Sequence, residues 1–461
     1  MGTEWATRRV NHSNLLKQSR HSMNGRLTKV SEDASSLSVR ARERGESLPW
    51  SLPLGVDRTN LKLMIRKYTK LLAWIAFLAP AISMAQGQLD TLLGNGGLLM
   101  HDSSGELVVS RNAETALMPA SIVKIPLSQV ALTVLGEDFR FETRFYHNAS
   151  GDLLIRGLGD PFLVSEEIAQ IAANLAEQGL SSVRRLVVDD SAFESNPDLP
   201  LELNARDPYA ARVSALSTNF NTVNLAFDAN GNVVSGEPQT PLTDLARELA
   251  ESLPGRQSER INLGADPEAA LRQAQQLFMA FLEASGITVS DSTFYHETMN
   301  EQWTLTYSHR SSQSLREILS GMLRYSNNFI ANQLFLTLGA HEQGYPATVA
   351  SAQSVLREAL ESLYGEGFGS DPGLLLMVEG SGLAREQQTS AMGMMHILEA
   401  FRPYADLLPE VNGVLRKSGT LTGVYNYAGY LQRPDGLYPF VILTNQGRNN
   451  RDELLQVLRD L

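Results

Sequence analysis

Apolar residues alternate with polar turns at both ends of the readable chain and switch to a helical period between them. Gly97-Leu-Leu-Met-His101 and Glu106-Leu-Val-Val-Ser110 flank Asp102-Ser-Ser-Gly105, the pattern of two strands joined by a hairpin. From Ala120 to Leu135 the apolar spacing becomes helical, which puts Ser121 in an opening turn and Lys124 three residues later on the same face. Pro126 falls near enough to the start to be tolerated. Near the other end, 413–421, 424–431 and 437–445 read as three successive strands, the last two joined across Arg433-Pro-Asp-Gly436. Residues 452–461 close the chain as a helix. Strands at both ends with helices between predict an α+β fold, an antiparallel sheet flanked by helices and assembled from segments distant in sequence.

On this reading, 86–140 and 300–461 form one domain and 141–299 are inserted into it. The insertion has its own strand patterns at 151–156 and 183–189 and helical patterns at 165–178, 242–253 and 267–285. Beyond it, 315–324 and 329–338 are helical in pattern, so Ser326-Asn-Asn328 between them is expected on an inter-helix loop.

The N-terminus changes the picture of the charge. Met64-Ile-Arg-Lys-Tyr-Thr-Lys70 is a basic start, Leu71 to Ile82 an apolar run, and Ser83-Met-Ala85 a small-x-small cleavage signal, so 64–85 read as a signal peptide cleaved near Gln86. The apolar run is too short to span a bilayer as a mature helix. Residues 1–63 are polar, rich in Arg and Ser and without sustained periodicity. They read either as a non-native extension preceding a true start at Met64 or as a disordered cytoplasmic segment before an uncleaved anchor. Setting aside the 14 basic and 6 acidic residues of positions 1–85 leaves 25 basic and 45 acidic, a net charge near −20. Such acidity argues against nucleic acid or anionic membranes as partners and suits an exported protein. With no cysteine in the chain, disulfides and thiol chemistry are excluded.

Only Lys124 and Lys417 remain as lysines beyond residue 70; arginine supplies the other positive charge. A desolvated lysine can become neutral and act as a base, which arginine cannot. A serine hydroxyl attacks an acyl carbon only if its proton is removed, and Lys124, one turn from Ser121, is placed to do so. Ser-x-x-Lys alone is weak, since about one or two arise by chance in a chain of this length. Ser326-Asn-Asn328 can supply a proton relay through Ser326 and an amide at Asn328 that binds substrate and steadies Lys124, although such loop triplets commonly serve as helix caps. Lys417-Ser418-Gly419-Thr420 lies on a predicted strand. There the ammonium can attract a substrate carboxylate, the glycine permits close approach, and the backbone N–H groups of Ser121 and Thr420 can form an oxyanion hole; an isolated strand lysine is otherwise a solvated edge charge.

The ordered trio resembles the Ser-x-x-Lys, Ser-x-Asn and Lys-Thr-Gly motifs of penicillin-binding proteins and serine β-lactamases. Gly157-Leu-Gly-Asp-Pro161, Ala215-Leu-Ser-Thr-Asn-Phe-Asn221, Glu379-Gly-Ser-Gly-Leu383 with Arg385, and Gly423-Val-Tyr-Asn-Tyr-Ala-Gly429 make the resemblance more specific. It is to the PBP4-type (DacB-like, S13) D-alanyl-D-alanine carboxypeptidases, over about residues 95–447. The offset of 205 from Ser121 to Ser326 matches the large insertion of that family and is too long for a simple β-lactamase. The segment after Asn221 is shorter than in larger relatives, and Ser418 stands where threonine is usual, which keeps the hydroxyl. The resemblance implies a DD-peptidase fold acting on peptidoglycan stem peptides in the periplasm through an acyl-enzyme on Ser121, with β-lactam antibiotics as inhibitors. It implies no metal or cofactor and admits a homodimer. It further implies that Asp207 and Tyr209 recognise the stem-peptide side chain, though an exposed Asp-Pro-Tyr turn explains them equally well. Arg385 either binds a carboxylate or fixes its loop. The rival readings are a β-lactamase-like hydrolase, for which no deacylation base is evident, and a catalytically inactive wall-binding protein.

Overall fold

Asp102 organises the first hairpin through its own side chain: Oδ1 accepts from Ser104 N and Glu106 N, both at 2.9 Å. The strands it joins are β1 (Gly97–His101) and β2 (Leu107–Arg111). The computed structural model describes residues 87–461 apart from 88, 201–205, 252, 254–256 and 265; the extension 1–63 and the leader 64–85 lie outside the described residues. After the hairpin, a 3-10 turn (Ala120–Val123) leads into α1 (Lys124–Leu135), so the single helix expected from Ala120 is split at Lys124. Every residue of α1 from Lys124 to Leu132 is buried, as befits a helix with no polar face.

The middle of the chain builds a second sheet with its own helices. Its elements are β3 (Glu142–His147), β4 (Leu153–Gly157), α2 (Ser165–Glu177), β5 (Ser182–Asp189), β6 (Thr222–Phe227) and β7 (Val233–Ser235). They continue through α3 (Asp244–Glu251), β8 (Glu259–Asn262), α4 (Pro267–Ala284), β9 (Thr288–His296) and β10 (Thr304–Arg310). A five-stranded sheet in the order β10-β3-β4-β5-β9 carries two parallel pairs, β4–β5 and β5–β9. Parallel neighbours need long crossovers, and α2 and α4 lie in those crossovers and pack Ile168, Ile171, Leu277 and Phe278 over Phe145, Ile155 and Val188. A small sheet, β7-β6-β8, branches from this region with α3.

The chain then returns through α5 (Leu315–Tyr325), α6 (Asn328–Gln343), α7 (Val349–Tyr364), the short β11 (Ser370–Asp371), β12 (Leu375–Leu376) and β13 (Gln388–Thr389), and α8 (Ala391–Phe401). It ends with β14 (Val414–Leu421), β15 (Val424–Arg433), β16 (Gly436–Leu443) and α9 (Arg451–Asp460). The antiparallel sheet runs β14-β15-β16-β1-β2, joining the first and last strands through Leu99 opposite Val441. Both of its faces are covered. Leu99, Ala428, Tyr430, Val441 and Leu443 turn toward the helical core around α1 and α8, whereas Leu98, Met100, Tyr427, Phe440 and Ile442 turn toward Leu454 and Leu458 of α9. The fold is α+β with an antiparallel sheet flanked by helices. Helix α6 is longer than its pattern predicts and begins at Asn328, because the Asn327 side chain caps it by accepting from Ile330 N at 3.0 Å.

Candidate active site

The turn before α1 is held from three sides. Asn426 Nδ2 donates to Met118 O at 2.8 Å and Pro119 O at 2.9 Å, fixing the approach to Ser121 from β15. Gly419 of β14 and Gly382 close the other two sides: a Cβ would lie 2.4 Å from Pro119 O at Gly419 and 2.3 Å from Ala120 O at Gly382, so only glycine allows this approach. Ala120 has φ +50°, a left-handed conformation uncommon for a residue with a side chain, in the step before the serine.

Lys124 lies under that turn with no exposure to solvent. Its Nζ donates to Ser121 Oγ at 2.9 Å, to Asn328 Oδ1 at 2.9 Å, and to the Ser381 carbonyl. Burial pushes the Lys124 amine well below the ordinary lysine range, and the positive charge of Lys417 pushes it further, while Glu379 opposes the shift. The Ser121 hydroxyl in turn donates to Ser381 O at 3.3 Å. Lys417, on β14, is 1% exposed and donates to Ser326 Oγ at 2.8 Å and to Ser418 O at 2.9 Å. Burial lowers its amine to about 7, with the Arg451 charge contributing.

The structure therefore brings these five residues together from a 3-10 turn, three helix ends and a strand as two hydrogen-bonded groups, Ser121–Lys124–Asn328 and Ser326–Lys417, near enough for the Lys417 charge to act on Lys124. The placement of the second motif differs from expectation. Asn328 is the first residue of α6 rather than a loop residue, and Ser326 ends α5 in a left-handed conformation with φ 54° and ψ 36°. The cap is Asn327, which leaves Ser326 and Asn328 free to face the two lysines.

Of the substrate-binding candidates, Gly419 is buried, Ser418 half-buried and Thr420 exposed at the end of β14. Tyr209 reaches the cluster by its backbone, its carbonyl accepting from Asn328 Nδ2 at 3.2 Å, while its side chain is exposed. Asp207 is exposed two residues earlier. Arg385 is exposed, with both terminal nitrogens 3.4 Å from Thr422 O just beyond β14.

Two features carry no role in the sequence reading. Glu379 is buried, and its carboxylate accepts from Ser381 N at 2.6 Å, Ser381 Oγ at 2.6 Å, Gly382 N at 2.7 Å and Gln387 Nε2 at 2.6 Å. It thereby aims the Ser381 carbonyl at Lys124. Arg451 opens α9 and touches Thr420. Glu379-Gly-Ser-Gly382 was visible as a motif; Arg451 had no local signal.

The D-Ala-D-Ala carboxypeptidase 3 (S13) family matches this chain over residues 84–250 and 247–409. A D-alanyl-D-alanine carboxypeptidase of Actinomadura sp. is 28% identical over 425 residues, covering 76% of this chain and 77% of the relative. The D-alanyl-D-alanine carboxypeptidase DacB of Haemophilus influenzae is 23% identical over 404 residues, covering 74% and 83%. The crystal structure of penicillin binding protein 4 (dacB) from Haemophilus influenzae shares the fold, with a TM-score of 0.64 over 81% of this chain and 97% of that one at 21% identity. The chain belongs to the D-Ala-D-Ala carboxypeptidase 3 (S13) family.

Proposed function

We propose that this protein cleaves D-alanyl-D-Xaa bonds of peptidoglycan stem peptides, as carboxypeptidase or endopeptidase, through an acyl-enzyme on Ser121. The observation that carries the reading is the fully buried Lys124 amine, 2.9 Å from Ser121 Oγ and shifted toward its neutral form. A neutral Lys124 accepts the Ser121 proton as Oγ attacks the carbonyl carbon. The resulting oxyanion meets the backbone N–H groups of Ser121 and Thr420. Lys417 donates to Ser326 Oγ, so the Ser326 proton is free to pass to the leaving amine and be replaced from Lys417. Water then releases the acyl group. Asn328 fixes Lys124 through Oδ1 and offers its amide group to the substrate; Asp207 and Tyr209 recognise the stem-peptide side chain, and Arg385 binds a carboxylate or fixes its loop.

A β-lactam presents a strained amide in place of the scissile bond and acylates the same serine. The acidic chain and the leader-like pattern at 64–85 support a periplasmic setting, with 86–140 and 300–461 as the catalytic domain and 141–299 as the insertion that carries Tyr209. The test is release of free D-alanine from a stem peptide ending in D-Ala-D-Ala. Wild type releases it and Ser121→Ala does not; release by both variants, or by neither together with failure of wild type to split a cross-linked stem-peptide dimer, refutes the reading.

A further inference from the structure

Three consecutive residues of the insertion, Asn219, Phe220 and Asn221, adopt left-handed φ values of 47°, 59° and 50°. Residues with side chains visit that region singly and at a cost, so a run of three persists only where its surroundings over-determine it. Here they do. Asn219 Oδ1 accepts from Ser165 N, at the start of α2, at 2.9 Å, and the buried Asn221 donates from Nδ2 to Arg212 O at 2.8 Å and to Ser217 Oγ at 2.9 Å. The turn also carries its middle ring to α6: Phe220 meets Phe329 edge-on with 6.2 Å between centroids, one residue past Asn328.

The segment that Asn221 grips, 206–214, is a strap along the first turns of α6. Asn262, the last residue of β8, donates from Nδ2 to Asp207 O at 2.9 Å and from its backbone N to Arg206 O at 2.9 Å, and Gln333 Nε2 of α6 donates to Ser214 O at 3.0 Å. Between these anchors the Tyr209 carbonyl accepts from Asn328 Nδ2 at 3.2 Å. A side-chain amide has its donors on one side and its acceptor on the other. With Nδ2 committed to Tyr209 O, Oδ1 is turned to Lys124 Nζ at 2.9 Å. The flipped amide would present N–H₂ to the lysine and set Oδ1 against the Tyr209 carbonyl, one acceptor facing another.

We propose that the strap 206–214, held by Asn221 and Asn262, sets the orientation of the Asn328 amide and so makes the insertion part of the acylation machinery. Asn221 and Asn262 are positioning residues that act on Lys124 through the Tyr209 carbonyl and Asn328. The inference rests on the DD-peptidase reading and extends it from the three motifs to a region to which the sequence reading gave only side-chain recognition.

The experiment measures the second-order rate of Ser121 acylation by penicillin against pH, with melting temperatures, for wild type, Asn221→Gly and Asn262→Ala. Asn221→Gly removes the grip on Arg212 O while suiting the left-handed backbone, and Asn262→Ala releases the strap from its other anchor if the glycine variant fails to fold. Each lowers the rate by about tenfold to hundredfold, the scale of a misplaced catalytic group. Each also moves the acid limb to lower pH, because the Lys124 ammonium has lost the Oδ1 acceptor that favours it. The charges that act on Lys124, those of Lys417 on β14 and Glu379 before β13, are the same in every variant. Folded variants that acylate at the wild-type rate, or that slow without a shift of the acid limb, overturn the strap. A wild type that penicillin leaves unmodified overturns the DD-peptidase reading itself, so the two failures are distinct.

Discussion

At the scale of single residues, the chemistry turns on two amines in unlike surroundings. Lys124 has no solvent and three partners; Lys417 has a serine and a backbone carbonyl. Lys124→Arg puts a permanently charged group where the reading needs a neutral amine and so removes the base; Ser121 acylation is expected to fall by about a thousandfold or more, measured as the second-order rate with penicillin. Near wild-type acylation in that variant would place the base elsewhere. The two amines also set the pH response. On the proposed mechanism neutral Lys124 is the base, so activity is expected to be lost as pH falls through its lowered pKa, and the ammonium of Lys417 feeds Ser326, so kcat/KM is expected to decline as pH rises through about 7. Both lysines were legible in the sequence because Ser121 and Lys124 are one turn apart and the other motifs are short. The Ser381 carbonyl and Arg451 were not. Each acts through a contact with a residue at least 31 positions away, and no local pattern reports such a contact.

At the scale of elements, buried carboxylates decide how firmly the cluster is held. Glu379→Gln turns an amide N–H₂ toward backbone donors that need acceptors, at a cost of about 2–4 kcal/mol. Its melting temperature is expected to drop together with the acylation rate, since the Ser381 carbonyl is then no longer aimed; a fall in stability alone would show that the loop does not position Lys124. Asp160 behaves oppositely. It is 2% exposed, burial chiefly raises its carboxyl to about 7, Glu167 adds to the rise, and the Phe162 N–H and His309 oppose it. The folded state keeps this proton up to about 7 while the unfolded chain loses it near 3.8, so stability declines as pH rises between those values. Asp160→Asn retains the acceptor for Phe162 N and has no proton to lose, so melts at pH 5 and pH 8 should show it gaining on wild type at the higher pH by roughly 2–4 kcal/mol. A gap that does not change with pH contradicts this. Element types were readable from periodicity. The 3-10 turn at Ser121 was not, because a left-handed Ala120 is set by the packing of Gly382 and Gly419, whereas the Asn327 cap that starts α6 is the local helix-cap use the triplet also admitted.

At the scale of the whole molecule, a sheet that joins β1 to β16 makes the catalytic cluster depend on both ends of the chain, with a second sheet built between them. That outline was visible because strand patterns occur at both ends and helices between. The parallel pairing of β4, β5 and β9 was not, since alternation gives a strand its faces but not its neighbours. Among the described residues no helix is long and apolar enough to cross a membrane. If 64–85 are a cleaved leader, protein recovered from the periplasm of an expressing bacterium begins at Gln86 by N-terminal sequencing; a start within 1–63 would contradict export by this route. The central claim is that Ser121 is an activated acyl acceptor, and intact-mass analysis of the 86–461 protein after incubation with penicillin tests it most directly. The account predicts a stable adduct of one antibiotic per chain on wild type and none on Ser121→Ala. Unmodified wild-type protein beside intact antibiotic would contradict it in favour of an inactive scaffold, and unmodified protein beside rapidly hydrolysed antibiotic would contradict it in favour of a β-lactamase.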